Sequence, residues 1–101
     1  MDREMANWVT IARYDLGSAV CMFEGKRYVY AAFMCHMAIE KILKAAVRHA
    51  TGKTPPGTHD LVYLAGKCDV RLDDDMRDFI ADVNDLNVVT RYPEDFKNSR
   101  R

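Results

Sequence analysis

The chain has 101 residues, 49% of them hydrophobic, with fifteen acidic and fifteen basic side chains. That length suits one core and no second domain, and the balanced charge gives the average surface no pull toward nucleic acid. No apolar run approaches the roughly 20 residues of a membrane-crossing helix, and the opening MDREMAN has no apolar signal core behind it. The expectation is a cytoplasmic, all-α domain spanning 1–101, with its core over about 5–94 and a frayed tail at 95–101.

A first helix is predicted from near Asp2 to about Glu24, with Trp8, Ile11, Ala12, Tyr14, Leu16, Ala19, Val20 and Phe23 on its core face. Arg13 and Asp15 interrupt that face. Gly17, mid-pattern, costs about 1 kcal/mol relative to alanine, which a closely passing neighbour helix would explain. Gly25 suits a left-handed cap, and so short a link folds the next helix back antiparallel. Cys21, Cys35 and Cys68 form no CxxC pair and read as reduced, inert thiols.

The stretch Tyr28–Ala50 is the longest unbroken helical pattern. Tyr28, Ala32, Cys35, Ile39, Ile42 and Ala46 recur at helical spacing, and Ala31, Ala38 and Ala45 widen the stripe. So wide an apolar face predicts a central helix covered on more than one side. Glu40 and Lys44 form an exposed-type i, i+4 pair, and Arg48 and His49 suit the negative end of the dipole. Pro55-Pro56 stiffens the following loop. Thr58 then reads as the N-cap of a short third helix ending at Gly66, with Asp60 in its first turn. The fourth helix has Asp73 as N-cap and a core face of Met76, Phe79, Ile80, Val83, Leu86 and Asn87. Val88 and Val89 weaken it, and Pro93 ends it.

Two places carry chemistry. His36 and Glu40 lie one turn apart, able to order a helix interface or line a pocket; a metal would need further ligands, and none is expected. Arg91, in Thr90-Arg91-Tyr92-Pro93, offers a planar fork to phosphate or carboxylate, with Lys41, Lys44 and Arg48 adding local positive charge. His59, after the stiff loop, is either a capping residue or a ligand contact.

The ordered set of Trp8, Ala12, Asp15-Leu16, Ala31-Ala32-Phe33, Cys35-His36-x-Ala38-Ile39-Glu40-Lys41, Pro55-Pro56-x-Thr58-His59-Asp60-Leu61 and Thr90-Arg91-Tyr92-Pro93 resembles the HEPN domain of bacteria and archaea. The resemblance implies an antiparallel helical bundle that commonly dimerises. It also implies a minimal nucleotidyltransferase as genetic partner, often in a toxin–antitoxin pair. Several branches of that family are metal-independent ribonucleases with an Arg-x(4–6)-His motif doubled across a dimer. No arginine here has a histidine at that spacing; from Arg91 the positions hold Phe96, Lys97 and Asn98.

Three readings follow. The first is a non-catalytic or weakly catalytic interaction module that pairs with itself and a nucleotidyltransferase. Arg91, His36, Glu40 and Lys44 would then be its nucleotide or RNA phosphate contacts, with no cofactor. The second is a ribonuclease whose site combines Arg91 with His36 or His59 across a dimer. The third is a purely structural helical dimer.

Overall fold

A computed structural model describes residues 1–68 and 71–91, with side chains as far as Asp85. It contains α1 (Arg3–Glu24), α2 (Tyr28–Thr51), α3 (Leu61–Lys67) and α4 (Asp74–Arg91), and no strand among the described residues. This is the all-α, up-and-down bundle expected, one helix being short. No described helix is long and apolar enough to cross a membrane.

Asp2 caps α1, its carboxylate accepting from the Met5 N–H at 2.8 Å. The α1–α2 turn departs from expectation. Gly25 has φ −81°, and Lys26 takes the left-handed conformation at φ 62°. Arg27 N–H donates to the Met22 carbonyl at 2.7 Å and closes the turn around it. At the far end of α2, Gly52 at φ 69° is a true left-handed cap. The Arg48 side chain bonds to the Gly52 carbonyl at 2.8 Å and to Asp2 at 3.1 Å, fastening the start of α1 to the end of α2.

Small residues line the seam between α1 and α2. Ala12, Asp15 and Ala19 are buried on α1, and Ala31, Ala38 and Ala45 on α2. Alanines seven apart keep to one seam and let two helices run close together. The large α1 side chains predicted for the core flank this seam instead, and Ile11, Tyr14, Leu16, Val20 and Phe23 are exposed. Among the described residues nothing outside its own helix lies within 4 Å of where a Gly17 Cβ would stand, so no described helix passes close there.

The aliphatic core lies on another side of α2. Leu43 and Val47 meet Leu61 and Leu64 of α3 and Ile80 and Val83 of α4. Asp60, not Thr58, caps α3, accepting from Val62 and Tyr63 N–H, while Thr58 Oγ1 accepts from Asp60 N–H; α3 runs one residue past Gly66. Asp73 caps α4 as expected, accepting from Met76 N–H at 2.8 Å. Ile80 and Val83 are buried as predicted, Met76 and Phe79 are half-exposed, and Leu86 and Asn87 lie outside the described side chains. Despite Val88 and Val89, α4 continues to Arg91.

Candidate functional site

The polar centre of the molecule is the carboxylate of Glu40, a side chain with no exposed surface. Its position in α2 is fixed by the alanine seam on one flank and the aliphatic core on the other. Helical spacing sets Lys44 one turn on, with Nζ 3.3 Å from Oε2, and Lys41 beside it at 3.1 Å. The Glu40–Lys44 pair is therefore buried, not the exposed pair expected from sequence. The Lys44 ammonium lies 5.4 Å from the centroid of the Trp8 ring, so α1 covers this cation with an aromatic face.

His59 reaches the other oxygen. Its Nδ1 lies 2.7 Å from Oε1, and its side chain is 45% exposed where that of Glu40 is 0%. An ionised carboxylate only accepts, so Nδ1 carries the proton and Nε2 is left as the available nitrogen. The loop holding His59 is pinned from α4: Leu61 N–H donates to Asn84 Oδ1 at 2.9 Å, and Asn84 Nδ2 donates to Asp60 at 3.1 Å. His36, wholly buried, has Nδ1 3.9 Å from Oε1 of Glu40.

Burial is the strongest single influence on the Glu40 carboxyl and pushes its pKa up. The His59 and Lys41 hydrogen bonds and the charges of Lys41 and Lys44 together outweigh it. Glu40 is held below its ordinary range and stays ionised. Chemically the arrangement is a charged knot with a cationic surplus, whose histidine is steered by a carboxylate it shares with two lysines. Among the described residues, no three His, Cys, Asp or Glu side chains group as metal ligands.

Of the residues singled out from sequence, His36, Glu40, Lys44 and His59 come together here. His36 and Glu40 are sealed from solvent, and His59 is the member that opens to it. Arg91 closes α4, but its side chain lies outside the described residues, as do Tyr92 and Pro93. Sequence reasoning did not foresee the Glu40–His59 contact, because 19 residues separate the two. Nor did it foresee Asn84, which looks in sequence like an ordinary polar position of α4.

The sequence profile of the HEPN domain family matches residues 5–101. No curated protein and no solved structure matches the chain.

Proposed function

Since this chain belongs to the HEPN domain family, we propose that it is a non-catalytic, cytoplasmic interaction module. It pairs with a second copy of itself and with a minimal nucleotidyltransferase, in a toxin–antitoxin-type pair. The polar knot around Glu40 forms one wall of a place where a nucleotide or RNA phosphate is held, with Arg91 and Lys44 supplying positive charge and His59 as the ring that reaches solvent. His36 and Glu40 act from beneath, by fixing His59 and the lysines. The observation that carries this reading is the cationic surplus around a single buried carboxylate, with one ring reaching solvent.

Fluorescence anisotropy with a labelled single-stranded RNA at low salt tests it. Two or three phosphate contacts give a log–log salt slope of about −1.5 to −2, at about 0.7 per contact for single strands. Arg91→Ala flattens that slope by about one contact. Absence of binding at low salt, or an Arg91→Ala variant indistinguishable from wild type, sinks the phosphate site. A neighbouring gene that encodes no nucleotidyltransferase removes the support for that partner.

The Glu40–His59 contact favours a second reading, a ribonuclease with a non-standard site. A histidine fixed at Nδ1 by a carboxylate presents Nε2 as a base for a ribose 2′-hydroxyl, and Arg91 would hold the phosphate. RNA cleavage lost in both His59→Ala and Arg91→Ala would raise this reading above the first. The purely structural alternative predicts that both variants change only the melting temperature.

A further inference from the structure

The chain has three histidines, and their surroundings differ. His36 is wholly buried, and His49 is exposed near the end of α2 with no hydrogen-bond partner among the described residues. His59 is half-exposed, with one ring nitrogen fixed. Its Nδ1–H donates to Glu40 Oε1 at 2.7 Å, which leaves the Nε2 lone pair as the single reactive position of the ring. The backbone that carries this ring is held as well. Leu61 N–H is bound by Asn84, and the Asp60 carboxylate accepts from the N–H groups of Val62 and Tyr63 and from Asn84 Nδ2. The acid next to His59 is thus committed to the start of α3.

A histidine with a carboxylate on one nitrogen and an open lone pair on the other is built to act as a nucleophile. As the open nitrogen forms a bond the ring becomes an imidazolium, and the carboxylate stabilises that charge. A bare carboxylate behind the ring would repel an anionic electrophile. Here Lys41 Nζ at 3.1 Å and Lys44 Nζ at 3.3 Å from Glu40 Oε2 reverse the sign. One carboxylate and two ammonium groups leave a single positive charge in excess beside the ring, and a phosphoryl group can approach.

We propose that His59 is a phosphoryl acceptor, a modification site whose Nε2 takes a phosphoryl group from a donor of the phosphoramidate class. The Nε2 lone pair forms the new N–P bond, the P–N bond of the donor breaks, and that electron pair leaves with the departing nitrogen. With phosphoramidate itself, whose nitrogen is already fully protonated, the leaving group is ammonia. The Nδ1 proton stays on the ring, hydrogen-bonded to Glu40. One P–N bond replaces another, so no oxidant or reductant enters. Nor does the step need a second proton-transfer group, which sets it apart from ribose cleavage. The phosphate sits on Nε2 alone, because Glu40 closes Nδ1. Its negative charge cancels the positive excess of the knot. The acceptor role stands on the geometry of the ring and needs neither RNA nor a protein partner.

Incubation of the full chain with phosphoramidate at neutral pH, followed by peptide mass mapping and phosphorus NMR, tests the proposal, with His49 as a control inside the same molecule. His59 should be labelled at least about tenfold faster than His49, the scale on which a partner at the far ring nitrogen acts. Proton–phosphorus couplings should place the phosphate on Nε2. His59→Ala should lose the fast label and keep the slow one at His49. Glu40→Gln keeps an oxygen for the Nδ1–H but removes the charge, and its His59 rate should fall to that of His49. Labelling of His59 no faster than His49 overturns the proposal, as does phosphate found on Nδ1. A folded Glu40→Gln labelled at the wild-type rate overturns it too. Should Glu40→Gln fail to fold, the ratio of the two histidines in wild type decides alone. No RNA enters this experiment, so failure of the acceptor and failure of the phosphate site are separate results.

Discussion

Glu40 is an expensive residue to bury, and its neighbours explain how the fold tolerates it. An ion taken from water is stable inside a protein only when its lone pairs are matched, and here His59 takes one oxygen while Lys41 and Lys44 share the other. Glu40→Ala strands two lysines and unfastens the His59 loop, so it should lower stability by about 3–5 kcal/mol, measured by urea unfolding. The pH dependence has a definite sign. The folded carboxyl titrates below its ordinary value of 4.5, so the unfolded chain takes up this proton first. Stability from Glu40 is whole above that ordinary value and drains as pH falls through the lowered one. Melting temperatures of wild type and Glu40→Gln, followed from about pH 6 to about pH 3, should therefore converge on acidification. A gap that stays constant would show that the Glu40 charge does not stabilise the fold. The knot itself was only half legible in the sequence. Helical spacing brings His36, Glu40 and Lys44 to one flank, but the i, i+4 rule says nothing about burial. The decisive partner, His59, arrives from a loop whose path the aliphatic core dictates.

At the level of helices, length and register were legible, while the identity of the buried face was not. Periodicity places α1 and α2 to within a residue or two. It cannot tell which of two apolar stripes a neighbour covers. The α1–α2 seam chose alanines seven apart, because close helix approach rewards small side chains, and this left Leu16, Val20, Phe23 and Ile42 outside. Two glycine positions make the point testable. A Cβ at Gly17 would meet nothing among the described residues, so Gly17→Ala should stabilise by about 0.5–1 kcal/mol through helix propensity alone. A loss of stability would mean that a partner approaches that face. Gly52, at φ 69°, is the opposite case: alanine there should destabilise by about 1 kcal/mol. Lys26 at φ 62° carries strain that sequence reading assigned to Gly25. The Arg27 N–H to Met22 carbonyl bond sets the turn so that the second link residue, not the first, must be left-handed.

Taken whole, the molecule divides its chemistry around α2: aliphatic core toward α3 and α4, charged knot beside it and, among the described residues, an apolar groove lined by Leu16 of α1, Ile39, Ile42 and Ala46 of α2 and Phe79 of α4. The central helix was predicted to be sheathed on more than one side, and among the described residues its Ile39–Ile42–Ala46 stripe lacks part of that cover. If a second copy supplies it, folding and association are one equilibrium, and stability depends on protein concentration. Unfolding about 200 residues per dimer releases roughly 0.4 kcal/mol/K of entropy. A tenfold rise in concentration adds about 1.4 kcal/mol per dimer, so the melting temperature should climb by about 3–4 °C per decade. Calorimetry over two decades of concentration measures this directly. Ile42→Glu, by charging the groove floor, should flatten the dependence and lower the melting temperature at the high end, while the two proteins converge on dilution. A wild-type melting temperature that does not move with concentration would mean that the groove is covered by something other than a second copy, or stays open in the working protein. The exposed isoleucine would then have to be read through a partner, not through self-association.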